Sequence, residues 1–183
     1  MLARDKIIKS YAEWTVLSAL RSGSPIKSRV DVYGILKKID FSDILDKSRG
    51  PITREEFENW HKETLFTLTT TCEKLKHQFG WAAKIINIYL KTYCYIGDGG
   101  RINVRECLHP PIDSGLWKGI KRKYKNTHHI FEDTHSKETI KEITTHESYL
   151  RIITGLRKVS LDRKCCLIEV EELWENNQPR HLP

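Results

Sequence analysis

The chain has 183 residues, of which 39% are hydrophobic and 30% charged, and its formal net charge is +7. A chain of this size buries a substantial core, so the composition excludes a disordered tail and predicts a single domain over residues 1–183. No apolar run approaches the roughly 18 residues of a membrane-spanning helix. The excess of positive charge favours a polyanionic partner such as nucleic acid.

The N-terminus and the cysteines bear on the cellular compartment. Residues 1–14 mix charges with apolar residues and contain no continuous apolar core of a secretory signal. The five cysteines are odd in number and include the adjacent pair Cys165 and Cys166, while no Cys-x-x-Cys motif is present. We therefore expect a cytoplasmic protein with reduced thiols.

Hydrophobic periodicity predicts helices along the chain, and no internal repeat is visible. Residues 22–25 and 48–51 are rich in Ser, Gly and Pro and mark turns, and Gly80 is expected to separate two helices. The predicted helices cover residues 3–21, 28–39, a long segment that opens with a capping box at Thr53 and Glu56, and then 82–96, 114–124, 136–158 and 165–175. The expected fold is all-α, with N-terminal helices in residues 1–50 and the candidate functional segment in residues 79–125.

Residues 82–96 are predicted to form a buried helix with an unusual polar stripe of Lys84, Asn87, Lys91 and Tyr95. Lys84 falls in its first turn, where the helix dipole disfavours a cation. Two solvated surface lysines are one interpretation. The other is a site in which the Lys84 amine is a nucleophile that forms a Schiff base, with Lys91 as an electrostatic or phosphate-binding partner.

Asp113 follows a segment that cannot be helical. Pro110 and Pro111 place it after a rigid extended stretch and directly before the predicted helix 114–124, so it is a natural N-cap. A carboxylate at such a rigid position can equally stabilise the positive charge that builds on a sugar when an N-glycosidic bond breaks. Both interpretations stay open at this point.

The order and spacing of these residues resemble the active site of helix-hairpin-helix DNA glycosylases. Gly80 stands four residues before Lys84, as in the segment that carries the catalytic lysine of that family. A second lysine seven residues on, followed by Pro110 to Asp113, is similar to the archaeal 8-oxoguanine DNA glycosylases. The resemblance covers residues 79–118, and the full Leu-Pro-Gly-x-Gly hairpin of the family is missing.

This resemblance implies a helix-hairpin-helix glycosylase fold, with Lys84 as the nucleophile or its counterpart, Asp113 as the catalytic carboxylate, and no cofactor. The implied partner is double-stranded DNA that carries a modified base, such as 8-oxoguanine. Small divergent enzymes of this type also resemble phage-defence glycosylases that remove glucosylated hydroxymethylcytosine, so a hypermodified phage cytosine is a further expectation for the substrate.

The densest basic run, residues 118–125, contains five cations and no acid. Such a run is either a solvated helical face or a phosphate-binding surface, which positions DNA without reading its sequence. For the aromatic residues near the site, including Tyr93, core packing competes with stacking on a flipped base. The residues expected to contact DNA or the base are Trp81, Lys91, Trp117, Lys118, Lys121, Arg122 and Lys123.

Two other functions compete with base excision. Arg122 and His128 show the Arg-x5-His spacing of HEPN-type ribonucleases, which use the histidine as an acid or base on RNA, although Lys123 replaces the usual small polar residue. A non-catalytic basic nucleic-acid-binding module is the third interpretation. His128, His129 and His135 lack the carboxylate or cysteine pattern of a metal site, so we expect no metal.

Overall fold

The computed structural model of the protein describes residues 3–20, 23–127, 134 and 139–175. Within these residues the regular structure is helical and contains no strand, which confirms the all-α class. The α-helices are α1 (Ala3–Ala19), α2 (Arg29–Leu36), α3 (Ser42–Leu45), α4 (Arg54–Thr71), α5 (Phe79–Leu90), α6 (Val104–Cys107), α7 (Ser114–Tyr124) and α8 (His146–Arg163). Among the described helices, none has the length and apolar character needed to cross a membrane.

Shorter helical segments connect these elements. A π-helical segment, Lys91–Ile96, directly continues α5, and 3-10 helices cover Lys47–Arg49, Glu73–Leu75 and Leu167–Leu173. We call Leu167–Leu173 the C-terminal 3-10 helix. Because π-helical turns are rare and are found mainly at functional sites, the end of α5 is a place to look for function.

Helix α5 is the buried centre of the fold. All twelve of its residues are buried, because its sequence is almost entirely apolar, and it packs against α1, α4 and α8. Lys84 and Asn87 are the polar exceptions in this helix. A buried charge or amide is costly unless it has partners, so both side chains need hydrogen bonds from elsewhere in the fold.

The predicted bounds of the helix over 82–96 were wrong in two respects. The helix begins at Phe79, so Gly80 lies inside it and Lys84 falls in its second turn. Gly80 is needed for close approach: its N–H donates to the Ile143 carbonyl at 2.9 Å, and a Cβ here would lie 2.2 Å from the Ile140 carbonyl oxygen. After Leu90 the α-helix gives way to the π-helical segment.

Three other predicted helices also have different limits. The helix predicted for 136–158 begins only at His146, because Thr145 caps it through the Ser148 N–H; residues 136–138 lie outside the described ranges. The helix predicted for 28–39 ends at Leu36. The segment 165–175 forms the C-terminal 3-10 helix, closed by a hydrogen bond from Trp174 N to Glu171 O, in place of an α-helix.

Two predicted helix starts are confirmed. Thr53 and Glu56 form the capping box that opens α4. Helix α7 covers the residues 114–124 for which a helix was predicted, with Asp113 as its N-cap.

Candidate active site

Lys84 and Asp113, which are 29 residues apart in sequence, meet at one point in the structure. The Lys84 Nζ atom lies 3.3 Å from Asp113 Oδ2. The Lys84 side chain is 9% exposed and that of Asp113 is 25% exposed. The Lys84 ammonium also lies 5.7 Å from the centre of the Trp81 ring, within the range of a cation–π contact. The expected amine and acid therefore form a pair that is largely shielded from solvent.

The two oxygens of Asp113 have different partners. Oδ1 accepts hydrogen bonds from the N–H groups of Gly115 (2.9 Å) and Leu116 (3.1 Å), as an N-cap does. It also accepts from the Trp174 indole N–H at 3.0 Å. Oδ2 faces Lys84. Asp113 is therefore both the N-cap of α7 and the acidic partner of Lys84, because each role uses a different oxygen.

Close packing of the C-terminal 3-10 helix on α7 brings Trp174 to Asp113. A Cβ at Gly119 would lie 1.6 Å from the Leu173 carbonyl oxygen, and one at Gly115 would lie 2.3 Å from Trp174 Nε1. Both positions therefore need glycine for this contact. The Glu175 N–H donates to the Gly115 carbonyl at 3.1 Å and completes the junction. The result is a carboxylate whose orientation is held by three N–H donors.

The pair opens into a cavity of about 800 Å³ between α1, α5, α7 and the C-terminal 3-10 helix. Such a volume lies within the range of about 300–1,000 Å³ for small-molecule sites. The predicted site residues that line this cavity are Lys84, Asp113, Lys91, Trp81 and Trp117. Five of the nine predicted residues thus share one cavity. Trp81 and Trp117 are buried in its wall, so they also belong to the core.

Glu171 also lines the cavity, although the sequence analysis did not single it out. Its Oε1 accepts a hydrogen bond from Lys91 Nζ at 2.6 Å, and its side chain is 22% exposed. Burial raises the pKa of Glu171, while the positive charge of Lys91 opposes that rise. The sequence around Glu171 is acidic and is typical of a solvated surface. Glu171 reaches the cavity because its segment packs on α7, and this tertiary contact has no signal in the local sequence.

The four cations predicted to bind DNA on α7 lie outside the cavity. Lys118, Lys121, Arg122 and Lys123 are all exposed, and Arg122 forms an ion pair with Glu175 at 2.6 Å. Because Glu175 itself lines the cavity, this ion pair joins the basic face of α7 to the cavity rim. Arg122 therefore contacts the cavity rim through Glu175, and none of the four α7 cations lines the cavity.

The histidines of the competing interpretations, His128, His129 and His135, lie outside the described residues. Within the described ranges, no group of three or more His, Cys, Asp or Glu side chains is arranged to hold a metal ion.

Helix α1 contributes exposed apolar side chains beside the cavity. Their helical spacing in the sequence did not show that they would be exposed. Ile7, Tyr11 and Trp14 are exposed, and the Tyr11 and Trp14 rings stack with centroids 5.7 Å apart. Tyr11 also lines the cavity. An aromatic pair therefore stands beside the entrance.

No protein-family model matches the chain, and comparisons with curated proteins and with solved structures also give no match. The geometry of the cavity and the chemistry of the side chains that line it are therefore the features that bear on function.

Proposed function

We propose that the protein is a DNA glycosylase that excises a modified base from double-stranded DNA and leaves an abasic site. The observation that carries this proposal is the contact between Lys84 and Asp113 at 3.3 Å in the wall of a cavity of about 800 Å³. An amine nucleophile and a fixed carboxylate, partly shielded from water, are the two groups that cleavage of an N-glycosidic bond uses.

The proposed reaction follows from the two oxygens of Asp113. As the glycosidic bond breaks, its electron pair goes to the base and positive charge develops on the sugar, where the carboxylate stabilises it. The Lys84 ammonium passes a proton to Asp113 Oδ2, the oxygen it already contacts, and the resulting amine bonds to C1′. The C1′–O4′ bond then opens: its electron pair goes to O4′, which takes up a proton from the nitrogen, and a Schiff base remains at C1′. Hydrolysis of this Schiff base releases the Lys84 amine and the abasic site.

A base can reach this cavity only if it is turned out of the duplex. The cavity of about 800 Å³ has room for 8-oxoguanine and for a hypermodified phage cytosine with its bulky substituent, and both are candidate substrates. Removal of the phage cytosine would serve antiviral defence. The exposed cations of α7, which follow Trp117 of the cavity wall along the same helix, are the residues that we propose to bind the phosphates of the duplex.

The proposal is tested with duplexes that each carry one modified base: 8-oxoguanine, hydroxymethylcytosine or glucosylated hydroxymethylcytosine. Excision is measured as strand breaks after alkali treatment. We expect Asp113→Asn to lower the rate of excision by about 100-fold or more, since that is the effect of removing one preorganised electrostatic group. Binding to the same duplex should persist.

Asp46 provides the matched control, because it caps the 3-10 helix Lys47–Arg49 through the Ser48 N–H and does not line the cavity. Asp46→Asn should leave excision unchanged. Excision by Asp113→Asn at the wild-type rate would contradict the assignment. Cleavage of RNA with no base excision would instead favour the Arg122 and His128 ribonuclease.

The nucleophile is tested by borohydride trapping of a covalent DNA adduct. Lys84→Gln should remove the adduct. Lys74→Gln is the control, because Lys74 also forms an ion pair, with Asp31 at 2.8 Å, on an exposed surface. An adduct that persists in Lys84→Gln would place the nucleophile elsewhere.

A further inference from the structure

The cavity contains a second carboxylate, Glu171, in a chemical environment different from that of Asp113. Both side chains line the same cavity. Asp113 accepts three N–H donors and contacts one ammonium group. Glu171 accepts one hydrogen bond, from Lys91 to Oε1, and within the described residues the structure shows no hydrogen bond to its Oε2. Asp113 is therefore held as an acceptor, whereas Glu171 keeps one oxygen for a ligand.

Three charged side chains from neighbouring elements act on Glu171. The π-helical segment contributes Lys91, α5 contributes Lys84, and the N-terminus of α7 contributes Asp113. Burial raises the pKa of Glu171 and the negative charge of Asp113 adds to that rise, while the two lysines oppose it. A carboxyl group that is more easily protonated than usual, beside one held as an acceptor, is the arrangement in which one acts as an acid and the other as an anion.

We propose that Glu171 is the general acid that protonates the departing base, an inference that rests on the proposed glycosylase function. The proton on Glu171 Oε2 passes to a ring nitrogen or carbonyl oxygen of the base while the glycosidic bond breaks. The electron pair of that bond enters the base, so the base leaves neutral and Glu171 becomes a carboxylate. Its ion pair with Lys91 then stabilises the carboxylate until it regains a proton from water.

This role assigns a function to the ion pair between Lys91 and Glu171, which takes no part in the reaction proposed for Lys84 and Asp113. The ammonium of Lys91, 2.6 Å from Oε1, fixes the orientation of the acid and accommodates the negative charge that forms on it. The charge of Lys91 is offset by burial, so the carboxyl group remains able to bind a proton. Lys91 is therefore a positioning residue for Glu171.

The test measures single-turnover excision as a function of pH with the best duplex substrate from the base panel, and with a ring-fluorinated analogue of the same base. Fluorine withdraws electrons, so the analogue leaves with less need of a proton. We expect Glu171→Gln to slow excision of the parent base by about 100-fold, the lower end of general acid catalysis, and to slow excision of the analogue by less than about tenfold.

The pH profile separates this role from a structural one. Wild-type excision should fall at high pH as Glu171 loses its proton, and Glu171→Gln should lack that limb. Glu171→Asp, which keeps an acid one methylene shorter, should restore the limb and part of the rate. Glu172→Gln is the matched control, since Glu172 is the exposed neighbour that pairs with Arg163; it should match the wild type.

Equal slowing of both bases by Glu171→Gln with an unchanged pH profile would overturn the assignment, as would a wild-type rate in that variant. Either result would leave the glycosylase proposal intact as long as the wild type still excises the base. If the wild type excises no base from any duplex, the proposed function fails, and the acid role fails with it.

Discussion

The polar side chains of helix α5, and that of Lys91 directly after it, lie in two different settings. On the cavity side, Lys84 and the following Lys91 contact carboxylates that are partly exposed and still have room for a ligand. Elsewhere on the helix, Asn87 is 2% exposed, and both ends of its side-chain amide form hydrogen bonds with other protein groups. Its amide donates to the Pro110 carbonyl (3.2 Å) and to Tyr149 OH (3.1 Å), and its Oδ1 accepts from His61 Nε2 (2.9 Å).

The buried network continues from Tyr149 to the far side of the core. Tyr149 OH is joined to His109 Nδ1 at 2.8 Å, and His109 Nε2 donates to Glu58 Oε1 at 3.1 Å. Arg157 pairs with the same carboxylate. Each polar group thus has a protein partner, as buried polar groups must if they are to favour folding.

The two settings show that polar residues can have either a structural role or a chemical role. A closed network whose members satisfy one another holds the fold, whereas a half-satisfied pair beside a cavity has bonding capacity left for a substrate. The two are also linked. Asn87 anchors the carbonyl of Pro110, and His109 is held by Glu58, so the network fixes the extended segment that delivers Asp113 to the cavity.

The largest expected effect on stability is therefore in the network. Asn87→Ala removes one hydrogen bond from each of three buried groups, and we expect it to lower the free energy of unfolding by about 3 kcal/mol. Lys84→Gln should change it by less than about 1 kcal/mol, because Asp113 keeps its three N–H donors and is partly exposed, so its charge is not left buried without a partner. Urea denaturation measures both. Equal destabilisation by the two variants would contradict the prediction that the buried network contributes more to stability than the Lys84–Asp113 pair.

The second prediction concerns acid denaturation. Burial, followed by the neighbouring His109, lowers the pKa of His61 from 6.5 to about 3. Burial alone would raise the pKa of Glu58, but the hydrogen bond from His109 and the charge of Arg157 lower it from 4.5 to about 2. In both cases the unfolded chain binds the proton at a higher pH than the folded chain does. Stability should therefore fall on acidification, through His61 between pH 6.5 and about 3 and through Glu58 between pH 4.5 and about 2.

Thermal unfolding between pH 7 and pH 4 measures this loss, which we expect to reach about 2 kcal/mol or more. His61→Gln keeps an N–H donor for Asn87 but does not titrate, so it should flatten the decline above pH 4.5. His77→Asn is the control, since His77 is exposed and has a positive φ of 58° that asparagine tolerates; its profile should follow the wild type. A His61→Gln profile as steep as that of the wild type would contradict the role of His61.

The smallest effects are expected outside both settings, on the exposed face of α7. A Lys118→Ala, Lys121→Ala, Lys123→Ala triple variant should reduce the slope of log affinity against log salt by about 3, roughly one unit for each phosphate contact. Cleavage of bound substrate should be unchanged. A triple variant of Lys37, Lys47 and Lys62, which are all exposed and do not line the cavity, removes the same charge. If both triple variants weaken binding equally, α7 is not the DNA-binding face.

Local sequence signals were sufficient wherever the structure depends on near neighbours. The capping box at Thr53 and the proline pair before Asp113 each act within a few residues, so the starts of α4 and α7 were predicted correctly. The start of α8 was missed because Thr145 and Ser148 form a cap without the usual glutamate. The inclusion of Gly80 in α5 was missed because it depends on a distant segment, residues 140–143, that packs against it.

The residues themselves determined an all-helical chain, a polar stripe on an apolar helix, and an acid held by a cap. Periodicity and capping are local, and they need no knowledge of which elements touch. Tertiary structure alone decided that Lys84 meets Oδ2 of Asp113 while Oδ1 caps α7, that Trp174 closes over that acid, and that Glu171 enters the cavity beside Lys91. The contacts of Lys84 and Trp174 with Asp113 and of Lys91 with Glu171 join residues between 29 and 80 positions apart, and such contacts are set by how the helices pack against one another.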